Sequence, residues 1–192
     1  MTELTRRHLL AGAAAIAANP LFASLPAFAA APPAGTQAPG FYRYKVGSIE
    51  ITVVTDGVNR LPVTDEFVTN VKKEEVQAGL VAAYMDKNIF FNPYNPIVIN
   101  TGSKLALVDT GTGEAAYKAS KGTSGQFLTN LQASGIDRAA IDTVIISHFH
   151  GDHINGLRNK AGAIAFPNAG IFVPQPEWAW WMDAARMAAA PE

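Results

Sequence analysis

From residue 41 onward the chain alternates. In "FYRYKVGSIEITVVTDG", polar and apolar side chains take turns through two runs of β-forming residues, with Gly47-Ser48 between them. The pattern predicts a hairpin of residues 42–46 and 49–55. Residues 58–96 are less regular. Within them, "KKEEVQAGLVAAYM" spaces Val76, Leu80 and Ala83 as a helix does, and "IFFNPYNP" reads as an aromatic loop punctuated by proline. "PIVINTGSKLALVDTG" then reads as two short apolar strands, residues 97–100 and 104–109, around a Gly102-Ser103 turn. "GQFLTNLQASG" is an amphipathic helix closed by Gly135. "IDTVIIS" reads as a buried strand. "AIAF" and "GIFVP" follow it, and Pro176 opens a helix through "PEWAWWMDAARMAAA". No internal repeat is visible. Strands with intervening helices indicate an α/β layered fold.

The first thirty residues follow another pattern. A short charged start precedes an Ala- and Leu-rich run, and small residues at Ala27 and Ala29 flank Phe28. That is the arrangement of a cleavable export signal. Arg6 and Arg7, followed by Leu9 and Leu10, resemble a twin-arginine signal. Pro20 and Pro26 interrupt the run, so no stable membrane anchor is expected after signal removal. The expected organisation is a signal over residues 1–29, a Pro/Gly/Ala-rich lead-in over 30–40, and one domain over 41–192. The expected destination is the periplasm or the exterior.

Composition narrows the function. The chain has 192 residues, 48% of them apolar, and a net charge of −1. That suffices for one core and advertises no basic surface for nucleic acid. There is no cysteine, which excludes disulfides, thiolate ligands and a cysteine nucleophile.

The candidate chemistry lies in "TVIISHFHGDHINGL", where three of the chain's four histidines fall within six residues. His148 and His150 stand two apart at the mouth of a strand. In extended backbone such residues point the same way, so both imidazoles can reach one ion. Asp152 and His153 follow a turn at Gly151 and are expected to point elsewhere, toward a second ion. Imidazole and carboxylate suit Zn²⁺, and also Mn, Co or Fe. Two such ions would hold a hydroxide between them and polarise the bond it attacks.

"SHFHGDH", preceded by "LALVDTG", resembles the metallo-β-lactamase superfamily. The blocks "APGFYRYKVGSIEITVVTDG", "NTGSKLALVDTG", "SHFHGDHINGL" and "AFPNAGIFV" are similar in order and spacing to exported hydrolases of the methyl parathion hydrolase group. The likeness implies a four-layer αββα fold. It also implies His148 and His150 on one divalent ion and Asp152 and His153 on the other, with Asp152 counted as catalytic as well. Asp109 would be an outer-shell group beneath the metals. Trp181 is implied as a pocket residue, and Phe90 and Phe91 are further candidates for an aromatic wall. The implied reaction is hydrolysis of a small ester-like molecule, an organophosphate triester or a lactone, by a metal-bridging hydroxide. A quorum-quenching acyl-homoserine lactonase is the neighbouring alternative. Flavodiiron proteins of this fold carry glutamate where His150 stands, and one group of true β-lactamases lacks a histidine at the place of His153.

The chain departs from that pattern after His153. The superfamily site also uses a third histidine for the first ion, a bridging aspartate and a last histidine for the second ion, and no histidine follows His153 here. The expectation is an N-terminal portion, about the first half of the sandwich, inactive alone. A homodimer could share ligands across an interface, although it adds no new kind of histidine. The competing class is a truncated metal-binding or interaction module without catalysis.

Overall fold

The computed structural model describes residue 35 and residues 37–159 and 161–189. The expected export signal and most of the expected lead-in lie outside the described residues. The fold below is that of the unit beginning at Ala38.

Six strands form one sheet in the order β1-β2-β5-β6-β7-β8. They are β1 (Phe41–Val46), β2 (Ile49–Val54), β5 (Ile97–Asn100), β6 (Leu105–Val108), β7 (Thr143–Ile145) and β8 (Gly170–Phe172). The first four run antiparallel, and β6, β7 and β8 are parallel. The register aligns Thr52, Val98, Leu107 and Val144 in one row across four strands, and all four are buried. A helix of residues Phe127–Ala133 (α3) closes over that row with Phe127 and Leu131. Each such side chain removed from water contributes roughly 1.5–3 kcal/mol. The opposite row runs Val53, Ile97, Val108, Ile145 and Phe172. It is just as apolar, yet Ile145 and Phe172 are exposed, as are Tyr42 and Tyr44 on β1.

A separate two-stranded ribbon pairs β3 (Gly57–Pro62) with β4 (Ile89–Tyr94). This corrects the reading of "IFFNPYNP" as a loop. Proline cannot donate to a ladder, but Pro93 sits opposite Val58, whose N–H bonds elsewhere, to the Thr123 carbonyl at 2.7 Å. A two-stranded ribbon has free edges where proline is tolerated. Between its strands lies α1 (Lys73–Ala82), burying Leu80.

The other elements are α2 (Glu114–Ala119), α4 (Gly151–Ile154), α5 (Gln175–Trp181) and α6 (Ala184–Ala189). The expected helix after Pro176 is thus two helices, broken at Met182 and Asp183. "AIAF" is not a strand. Ile164 makes one isolated bridge with Arg158, while Ala165 and Phe166 plug the core. Gly135 closes α3 with φ +82°, as expected. Among the described residues no helix is long and apolar enough to cross a membrane.

Asp56 organises the loops beneath this core. It is wholly buried. Its Oδ1 accepts from Phe127 N at 3.0 Å. Its Oδ2 accepts from Thr112 N at 3.0 Å, Thr112 Oγ1 at 2.6 Å and Gly125 N at 3.3 Å. A buried carboxylate is tolerated only when so supplied with donors. The bonds pin the turn after β6 to the start of α3.

Candidate metal centre

The site begins where β6 and β7 end. Parallel pairing delivers both strands' C-terminal ends to the same edge, so Asp109 and Ser147 arrive side by side. Asp109 N donates to the Ile145 carbonyl at 2.9 Å. The chain then turns with Asp109 in the left-handed region, φ 60°, which aspartate tolerates better than most residues. That turn aims the carboxylate back at β7. Ser147 donates to it twice, N to Oδ1 and Oγ to Oδ2, both at 2.8 Å. His153 Nδ1 lies 2.8 Å from the same Oδ2.

His148 and His150 lie close together, as their spacing predicts. His148 Nε2 is 3.2 Å from His150 Nδ1. His153 does not point away from the pair, which corrects that part of the expectation, and Asp152 reaches His153. The His153 ring lies with its centroid 3.9 Å from that of His148. The reason is α4, which begins directly after His150 and turns His153 back over the pair. All three imidazoles and Asp152 therefore form one cluster.

His153 meets a carboxylate at each ring nitrogen. With Nδ1–H of His153 given to Asp109, Nε2 carries the lone pair in the neutral ring. It faces Asp152 Oδ2 at 3.2 Å. Ser147 Oγ, already a donor to Asp109, can accept from His148 Nδ1 at 3.1 Å. That leaves a lone pair on His148 Nε2, within reach of His150 Nδ1 at 3.2 Å. Imidazole and carboxylate groups gathered this closely suit a divalent cation. In chemistry the donors fit a divalent ion. In number they fall short: among the described residues, no group of three or more His, Asp or Glu is disposed to hold one ion.

The brace beneath the cluster is backbone. Thr110, fully buried, gives its N–H and its hydroxyl to the His153 carbonyl. Gly156 permits this approach, because a Cβ there would stand 1.9 Å from the Thr110 carbonyl oxygen.

A cleft of about 170 Å³ opens beside the cluster, lined by Asp109, Asp152, His153 and the segment 92–96, which includes Tyr94. A larger groove of about 610 Å³ lies against α3 and shares none of these residues; the chemistry sits at the smaller one. Phe90 and Phe91 do not line the cleft. Phe90 packs on Phe67 with centroids 5.5 Å apart, and Phe91 lies under the Arg60 guanidinium. Alternation puts the two on opposite faces of β4, and each finds its partner outside the cleft. Trp181 is not in the lining either. It is half-exposed, as are Trp178 and Trp180, so Trp178 and Trp181, three apart and able to share a helical face, are not core residues. Asp56, Thr110, Ser147 and Glu177 escaped the sequence reading. Asp56 had only its place after a strand to mark it. Glu177 had only its spacing of four from Trp181, whose indole N–H it accepts at 3.1 Å.

The matched family model, described as the metallo-beta-lactamase superfamily, covers residues 90–190. No curated protein matches the chain. Among solved structures, AidC, described as a dizinc quorum-quenching lactonase in complex with a product, is 30% identical with a TM-score of 0.69, over 76% of this chain and 48% of that one. The hydrolase AbOPH of the beta lactamase superfamily is 30% identical with a TM-score of 0.70, over 81% and 52%. A probable metal-dependent hydrolase from Staphylococcus aureus is 25% identical with a TM-score of 0.58, over 77% and 55%. The chain thus spans about half the length of these structures. The match spans more than half of the chain and includes every residue of the cluster: the chain belongs to the metallo-β-lactamase superfamily.

Proposed function

We propose that the chain contributes the first part of a dinuclear metal site in an exported hydrolase of ester-like bonds. The observation that carries this reading is the convergence of His148, His153 and Asp152, with the His153 ring 3.9 Å from that of His148, 2.8 Å from Asp109 and 3.2 Å from Asp152. His148 and His150 would serve one ion, and Asp152 and His153 the other. Divalent metal, most reasonably Zn²⁺, would supply Lewis-acid activation of water and of the bond cleaved. This chain's residues do the rest: Asp109 holds the His153 ring and its tautomer, and Ser147 holds Asp109 and His148 together.

Of the ester-like substrates, lactones draw support from AidC, described as a lactonase in complex with an N-hexanoyl-homoserine product. Organophosphate triesters, the substrate of the methyl parathion hydrolase group, remain the second reading of the same site. Export rests on residues 1–29. A non-catalytic metal-binding module is the competing class, in view of the donors among the described residues, which do not group three or more around one point.

The test is metal content of the purified chain after dialysis, followed by a panel of lactones, phosphotriesters and simple esters. We expect weak retention of Zn²⁺ and no turnover by the chain alone. Turnover is expected once a complete ligand set is provided. Two ions held firmly through dialysis would overturn the expectation of an incomplete shell. A completed, metal-loaded protein that leaves the whole panel untouched would overturn the hydrolase reading in favour of the module.

A further inference from the structure

Phe149 stands between the two adjacent imidazoles, and its backbone N–H takes its partner from a distant side chain. It donates to Glu177 Oε2 at 2.9 Å. The same oxygen accepts from Trp181 Nε1 at 3.1 Å. Glu177 and Trp181 are four apart on α5, where helical geometry stacks them on one face. Glu177 is half-buried, and the Trp181 indole is half-exposed. One carboxylate oxygen therefore ties a solvent-facing indole to the segment that carries His148 and His150.

We propose that Glu177 is a positioning residue for the imidazole pair, and that it couples the pair to Trp181. The segment after β7 lacks a neighbouring strand for Phe149 to donate to. Without Glu177 its amide would be satisfied only by water, and the backbone between the histidines would be freer to rotate. A charge-assisted bond from a carboxylate fixes it more firmly than a neutral acceptor would. Because both donors share one oxygen, movement of the indole changes the bond to Phe149. Whatever contacts Trp181 is thereby felt at His148 and His150. This rests on the metal-site reading only for the meaning of the two imidazoles; the coupling itself is a property of the metal-free chain.

The test is nuclear magnetic resonance of the ¹⁵N-labelled, metal-free chain, following the Phe149 amide and the histidine ring nitrogens. In Glu177→Ala we expect the Phe149 amide proton to move upfield and the His148 and His150 ring signals to shift. Glu177→Gln, which keeps an acceptor, should restore most of both. Trp181→Phe should move the Phe149 amide, because the oxygen then serves one donor, while Trp178→Phe should not. Unchanged ring signals in Glu177→Ala, or a Trp181→Phe spectrum indistinguishable from that of Trp178→Phe, would overturn the proposal. If Glu177→Ala does not fold, the Gln and Trp variants decide alone. A Zn²⁺ titration then separates the two readings. We expect about tenfold weaker binding in Glu177→Ala. A wild-type chain that binds no Zn²⁺ would remove the metal reading and leave the coupling to be judged on the metal-free spectra.

Discussion

Thr110 donates to the His153 carbonyl twice, from its N–H at 2.9 Å and from its hydroxyl at 2.8 Å. A residue with no chemistry of its own thereby sets the height of α4 against the end of β6, and with it the distance between His153 and Asp109.

Removing half of that grip should be measurable. Thr110→Val keeps the volume and the N–H bond but leaves the hydroxyl's share unmade. We expect a loss of about 1–2 kcal/mol in urea unfolding, and a weakened His153–Asp109 bond visible in the ring-nitrogen shifts of His153. Unaltered stability and unaltered shifts would show that the second bond contributes nothing.

Asp56→Asn should be far more damaging. The carboxylate accepts four hydrogen bonds in a fully buried place. The amide would turn its own donor toward at least one of the groups it now satisfies. We expect about 3 kcal/mol or more of destabilisation, read from the denaturation midpoint. A midpoint near that of wild type would mean that the loops do not depend on this residue.

Asp109→Asn tests the outer-shell role. The substituted side chain no longer offers an anionic partner to His153 Nδ1 or a charged acceptor to Ser147. Zn²⁺ affinity should fall about tenfold or more, with little change in the circular dichroism of the fold. Equal affinities would remove Asp109 from the site.

Acid stability has a named contributor away from the site. The Leu105 backbone N–H, with help from the Thr143 hydroxyl and then Lys104, holds the Asp142 carboxyl below its ordinary value. A pKa lowered in the folded state gives stability that is present above the unfolded value, about 3.9, and is lost as pH falls through the folded one. Wild type should therefore lose stability more steeply than Asp142→Asn as pH drops below about 4. Parallel acid-unfolding curves would contradict this.

The parts legible in the sequence are those whose cause is local. His148 and His150 meet because two residues of extended chain put them on one side. Gly135 closes α3 because the left-handed cap needs it. The hairpin of β1 and β2 follows from alternation around Gly47-Ser48. What escaped depends on partners far along the chain. Asp56 bonds to residues 56 to 71 positions away, and no local pattern marks it. Pro93 suggested a loop because its tolerance in β4 depends on which strand lies beside it. His153 was expected to face away because the helical turn that brings it back is only four residues long, too short to leave a periodicity.

The left-handed backbone at Asp109 has a consequence for how this position can drift. Two filters act there, one conformational and one chemical, and few side chains pass both. Glycine accepts the dihedral and offers no group to His153. Asparagine accepts it nearly as well and brings an amide. Glutamate keeps the acid but shifts it outward by a methylene, and carries a backbone penalty of roughly 1–2 kcal/mol that aspartate partly escapes. Single-step routes away from aspartate therefore lose either the shape of the turn or its charge, and a library randomised at this codon should return aspartate almost alone when selected for metal.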